Sequence, residues 1–281
     1  MLPVLFIFDL DNTLIGTSES IEFYRKVITF IKDASKSGKL NVKDTFPTWN
    51  KFINDSFYRK GLKEAFTQIK QMYPTAEFFI YSSGTKSYVN EYVRNVEKFI
   101  DVKINTPYFS RSECPIDETN NFKKSIISQY PTILKTLSNK YPTIEKHQEE
   151  VLKNRTIFID DSDYLWDKKE KWIKCKPYNY YPIFDIDSKL LELIHTTPMI
   201  RDYIKAAKLD KLFLIDESKN YDEYRMNYHL FMANLHRSYL STNREAQEDT
   251  FFEKFVKALR GYKDNVKPFT DNHIKLIQKQ L

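Results

Sequence analysis

Val4-Leu5-Phe6-Ile7-Phe8-Asp9-Leu10-Asp11-Asn12-Thr13 decides how the rest of this 281-residue chain is read. Five apolar residues in a row, cut off by two acids two positions apart, fit a buried strand that ends abruptly at a polar edge. The run lacks a basic leader and is too short to span a bilayer, so it reads as neither signal peptide nor membrane span. Two further stretches repeat the design: Phe78–Tyr81 before Ser82, and Thr156–Ile159 before Asp160-Asp161. Between them lie helix-patterned segments at Ile21–Ile31, Leu62–Met72 and Ser87–Phe99. Strands alternating with helices predict an α/β fold built on a doubly wound parallel sheet. Such sheets bind ligands beyond the carboxyl ends of their strands, where all three runs deliver polar residues.

Working outward, residues 16–54 separate the first two strands and read as a helical cap insert. Beyond Asp185 the texture changes. Tyr221, Tyr224, Tyr228, Phe231, Leu235 and Tyr239 recur at helical spacing, as do Phe251, Phe252, Phe255, Val256 and Leu259. The expected division is therefore residues 1–195 as a catalytic α/β domain and 196–281 as a C-terminal all-α module. Composition is that of an ordinary globular protein, 41% apolar and 29% charged. With only 5 glycines, a glycine-rich nucleotide loop is not the main device, and the net charge of +6 favours phosphorylated or acidic partners only weakly. Cys114 and Cys175 form no metal-spaced cluster, which points to a reducing, intracellular setting.

Asp9 and Asp11, leaving a strand end together, suit nucleophilic attack by one carboxylate and proton handling by the other. Adjacent Asp160 and Asp161 repel unless a hard cation such as Mg²⁺ accepts their oxygens. Either cluster alone also fits a solvated turn or a helix cap. Together they are far more specific.

These residues resemble the haloacid-dehalogenase superfamily, and within it the branch of RNA polymerase II C-terminal-domain phosphatases. Its first motif stands here as Asp9–Thr13 and its second as Phe79-Ile80-Tyr81-Ser82-Ser83-Gly84, followed by Tyr88. Its fourth resembles Asp160-Asp161 with Trp166, and Tyr58–Leu62 is similar to the basic entry to the helix before the second motif. The resemblance covers about residues 1–195. It implies Asp9 as nucleophile, Asp11 as general acid–base, and Ser82 as a phosphate-binding hydroxyl. It implies Mg²⁺ held by Asp9, Asp160, Asp161 and Asp11, the last through its carbonyl, with Arg59, Arg111 and Trp166 as substrate contacts. The phosphate-binding lysine of the third motif is assigned to Lys124, with Lys135 as rival, and an insertion is expected between Lys124 and Asp160. The implied function is a Mg²⁺-dependent phosphomonoester hydrolase acting through an aspartyl-phosphate on phospho-Ser/Thr proteins. The alternatives are a nucleic-acid-end or small-molecule phosphatase, and a scaffold that keeps the fold without turnover. No membrane partner is expected, and a soluble cytoplasmic or nuclear location is. The Lys/Asn/Ile/Tyr-rich texture also suits the AT-rich genomes of large DNA viruses that carry copies of this phosphatase type.

Overall fold

The computed structural model describes residues 1–42, 46, 53–182, 188–209 and 220–281. Much of the second half of the expected cap, at 43–45 and 47–52, lies outside them, as does Asp185. The first apolar run forms β1 (Val4–Phe8), buried along its whole length. It pairs in parallel with β2 (Ala76–Ile80) through Phe6↔Phe78, and with β3 (Thr156–Asp160) through Phe6↔Ile157. A fourth strand, β4 (Trp172–Lys174), pairs with β3, giving the parallel order β2-β1-β3-β4.

Alternation along β1 divides the core between the two faces of the sheet. Leu5 and Ile7 face a cluster with Phe79 and Phe158 that includes Ile126, Tyr130 and Ile133 of α4 (Ile126–Leu137) and Val151 of α5 (Gln148–Asn154). Phe6 and Phe8 join the opposite layer, with Phe66 of α2 (Leu62–Met72) 5.1 Å from Phe8, ring centre to ring centre. Phe66 also lies 4.5 Å from Phe78, and Phe252 lies 6.5 Å from Phe8. Each fully buried aromatic of this kind contributes roughly 1.5–3 kcal/mol of transfer free energy. α3 (Lys86–Ile100) follows β2 and packs against α2.

The chain forms two compact units, and they divide it differently from the expected boundary at 195/196. One comprises residues 1–15, 58–178 and 248–281; the other comprises 16–57 and 179–247. The sheet unit therefore keeps two helices from the segment expected to form a separate module, α9 (Phe251–Arg260) and α10 (Asp271–Gln278). Their reason for joining it is physical. α9 buries Phe251, Phe252, Phe255, Val256 and Leu259, the Tyr73 hydroxyl donates to Leu259 O (3.0 Å), and the Gln278 amide pairs with both backbone groups of Lys174 at 2.7 and 3.1 Å. An amphipathic pattern announces a buried face but not the surface it covers.

The second unit contains α1 (Glu19–Lys36), α6 (Ser188–Thr196), α7 (Pro198–Ala206) and α8 (Tyr221–Gln247). Phe30 stacks on Tyr203 at 4.2 Å, and Tyr181 on Tyr239 at 4.0 Å. The Asn243 amide exchanges two hydrogen bonds with the Tyr181 backbone, at 2.7 and 3.0 Å. Among the described residues, no helix is long and apolar enough to cross a membrane.

Candidate active site

β1 connects outward to β2 on one side, and β3 continues to β4 on the other. The boundary between β1 and β3 is thus the switch point of the sheet, where a doubly wound fold opens a crevice. Asp9 extends the ladder there by donating its N–H to Ile159 O at 2.8 Å, and Asp160 ends β3 beside it. With Asp161 they can place one carboxylate oxygen each within 4.8 Å of one another. Asp9 is 5% exposed and Asp160 fully buried.

Among the described residues, Lys124 brings a cation into this cluster. The Lys124 ammonium, itself 1% exposed, donates to Asp9 Oδ1 at 2.5 Å and to Asp160 Oδ2 at 2.7 Å. The second Asp160 oxygen accepts from the Ser162 N–H and hydroxyl at 2.8 and 2.9 Å. Thr13, fully buried, donates to Asp161 Oδ1 at 3.2 Å and accepts from the Asp161 N–H at 3.1 Å, which ties the first acidic turn to the second.

Burial pushes the Asp9 carboxyl well above the usual carboxylate range; Lys124 pulls it back, while Asp160 and Asp11 push it up again. Asp161 is raised by burial and then by the Asp160 charge. The Lys124 ammonium pays for its desolvation through its two carboxylates, which leave it above its ordinary value. Three acids against one ammonium leave surplus negative charge. Two like charges about 4 Å apart cost on the order of 4 kcal/mol at an effective dielectric constant near 20. A small divalent cation with oxygen preference would offset that cost, so the donor set fits Mg²⁺. Among the described residues, Asp9, Asp160 and Asp161 are the side chains grouped closely enough to hold it. Asp11 contributes no carboxylate to this triad; its Oδ1 accepts from the Tyr88 hydroxyl.

Lys124 is placed by its backbone. Its N–H donates to Tyr164 O and its carbonyl accepts from the Trp166 N–H, both at 2.8 Å. Ser125 then caps α4, accepting from the Ser128 N–H at 3.0 Å. Its own N–H donates to the Tyr81 hydroxyl at 3.1 Å, and its hydroxyl donates to Asp167, which also accepts from the Ile126 N–H at 2.8 Å. Tyr81 and Asp167 are supports that sequence reasoning missed. Ser125 stands at the N-cap of an apolar helix, and its partner Asp167 lies 42 residues downstream. The length between Lys124 and Asp160 is taken up by α4, a 3₁₀ turn at Ile144–His147, and α5.

Lys135 is exposed in the last turn of α4, roughly 14 Å along the axis from Ile126 by helical rise. Lys124→Ala should therefore lower turnover of a phosphate ester about 10²-fold or more, while Lys135→Ala leaves it within about twofold. Steady-state rates of the two variants check this, and the reverse ranking would move the phosphate-binding role to Lys135.

Ser82 stands two residues beyond β2, 1% exposed, its hydroxyl accepting from the Gly84 N–H at 3.0 Å. Arg111 is exposed and donates to Ser83 O at 2.7 Å, with Phe122 5.4 Å away under its guanidinium. Trp166 is 56% exposed at the surface beside the Lys124 bridge.

Arg59 departs from its expected role as a substrate contact. It is 1% exposed, and its guanidinium donates to both Asp249 oxygens (3.0 and 2.8 Å), to Lys176 O (2.9 Å) and to Thr13 O (3.4 Å). The Phe251 ring packs 4.5 Å from it. It is an internal staple between the first acidic turn and the start of α9. The lysine-rich run Lys168–Lys171 forms a 3₁₀ turn at Lys169–Lys171, with Lys171 buried against Phe269 O (3.2 Å) and Asp271.

Among solved structures, the chain is similar to the RNA polymerase II CTD phosphatase Fcp1, at 18% identity over 99% of this chain and 70% of that one, with a TM-score of 0.35. The fission yeast Fcp1 bound to beryllium fluoride gives 15% identity over 90% and 67%, TM-score 0.35. A phosphoserine phosphatase captured as a phospho-aspartyl intermediate analogue gives 16% over 58% and 79%, TM-score 0.30. No curated protein matches the sequence significantly. The family described as NLI interacting factor-like phosphatase matches residues 4–208, and with nearly three quarters of its length covered, this chain belongs to that family.

Proposed function

We propose that the chain hydrolyses phosphomonoesters through an aspartyl-phosphate on Asp9, with Mg²⁺ as cofactor and phospho-Ser/Thr protein segments as substrate. The observation that carries the reading is Lys124 bridging Asp9 and Asp160, with Asp161 beside them, at the switch point of the sheet. Mg²⁺ held by Asp9, Asp160, Asp161 and the carbonyl of Asp11 would offset the charge on the phosphoryl oxygens. Asp9 attacks phosphorus in line as the ester oxygen departs. Asp11 gives that oxygen a proton, then takes one from the water that opens the aspartyl-phosphate. Lys124 and the Ser82 hydroxyl hold equatorial phosphoryl oxygens, a task of positioning and electrostatics. The motif resemblance and the family membership support a protein substrate.

Pure protein assayed on an aryl phosphate, a phosphoserine peptide and a 3′-phosphorylated oligonucleotide tests this. Turnover should disappear with a chelator, return with Mg²⁺, and reach less than about a tenth of that level with Ca²⁺, whose larger shell is looser. The peptide should be preferred to the oligonucleotide by kcat/KM. The opposite preference would favour a nucleic-acid end as substrate. Unchanged turnover after complete metal removal would end the role given to Asp160 and Asp161, and no turnover on any substrate would favour the scaffold reading.

A further inference from the structure

Tyr88 sits in the first turn of α3, 7% exposed, and its hydroxyl donates to Asp11 Oδ1. The ring is seated by the backbone of the turn that carries Ser82. A Cβ on Gly84 would fall 2.6 Å from Cδ1 of Tyr88 and 3.1 Å from Cε1, so only glycine lets the ring lie across that turn. The same Gly84 donates its N–H to Ser82 Oγ at 3.0 Å, and the Tyr92 ring packs 4.4 Å from that of Tyr88. A side chain held in this way has little rotamer freedom left to lose, which makes its hydroxyl a fixed point against which a carboxyl can be aimed.

We infer that Tyr88 is a positioning residue for Asp11, its hydroxyl holding Oδ1 so that Oδ2 is the oxygen that exchanges the proton with the substrate. The inference rests on the proposed general acid–base role of Asp11. In the first step the bond from Asp9 to phosphorus forms, the bond from phosphorus to the ester oxygen breaks, and the proton on Oδ2 passes to that oxygen. In the second, water adds to phosphorus, the bond to Asp9 breaks, and the proton released by the water returns to Oδ2. An aimed Oδ2 matters most when the leaving group is poor. The alkoxide of a serine needs the proton as it departs, whereas 2,4-dinitrophenolate leaves without it.

The test compares kcat/KM, which reports steps up to formation of the aspartyl-phosphate, for a phosphoserine peptide and for 2,4-dinitrophenyl phosphate. Tyr88→Phe keeps the ring and removes the hydroxyl. It should lower the peptide value about tenfold while the dinitrophenyl value stays within about twofold. An equal loss on both substrates, as a merely structural role would give, or no loss on either, overturns the inference. Asp11→Asn runs beside it and should show the same selectivity more strongly. If Asp11→Asn is selective and Tyr88→Phe is not, only the positioning role falls. If Asp11→Asn is not selective, the reading of Asp11 falls and the role of Tyr88 with it.

Discussion

Asp9→Asn should fold like the parent chain and turn over an aryl phosphate at least about 10³-fold more slowly. The amide keeps the shape of the carboxylate and lacks its anionic oxygen, so the step that forms the aspartyl-phosphate has no nucleophile. Stability should not suffer. Burial makes a charge at Asp9 costly, and Lys124 keeps Asp160 as a partner at 2.7 Å after the change. The unfolding midpoint of the metal-free variant should therefore lie at or above that of the parent. Circular dichroism melts and steady-state rates check the two halves separately. Parental turnover in protein free of contaminating phosphatases would remove Asp9 from the nucleophile's role.

The acidic edge of the sheet was legible because β1 and β3 are short, apolar and cut off by acids. Val4–Phe8 needs no distant partner to be recognised, and neither does the Asp160-Asp161 pair. β4 offered no comparable signal: Trp172–Lys174 is three residues long, follows a lysine-rich turn, and becomes a strand only because Phe158 and Ile159 present a free ladder edge. Lys124 was legible by motif order but not by chemistry, since its surroundings are built by Tyr164, Trp166 and Asp167 from another part of the chain. Arg59 shows the same limit from the other side. A basic residue beside a functional motif reads as a substrate contact until a carboxylate 190 residues away is seen to occupy it. In each missed case the deciding partner is distant in sequence, and local pattern carries no information about it.

A chain ended at His195 should fail to give a soluble, cooperatively folded protein, although every proposed catalytic residue precedes that point. The truncation deletes α9, whose Phe252 packs within reach of Phe8 on the inner face of the sheet, and whose Phe251 covers the Arg59 guanidinium. Exposing that layer forfeits roughly 1.5–3 kcal/mol for each large apolar side chain involved. It also strips the half-buried Asp249 from the buried Arg59, and leaving a buried charge uncompensated costs about 3–5 kcal/mol. Loss of α10 removes the Asp271 partner of the buried Lys171 ammonium as well. Against a typical domain stability of about 5–15 kcal/mol, these losses together exceed what the sheet unit can absorb. Asp249→Ala isolates one of them. Its unfolding free energy should fall by about 3–5 kcal/mol, and its turnover should fall too, since Arg59 anchors the carbonyl of Thr13 in the turn that carries Asp9 and Asp11. A soluble 1–195 chain that melts cooperatively and hydrolyses an aryl phosphate would show instead that α9 and α10 are a dispensable cover, and would restore the boundary near residue 195.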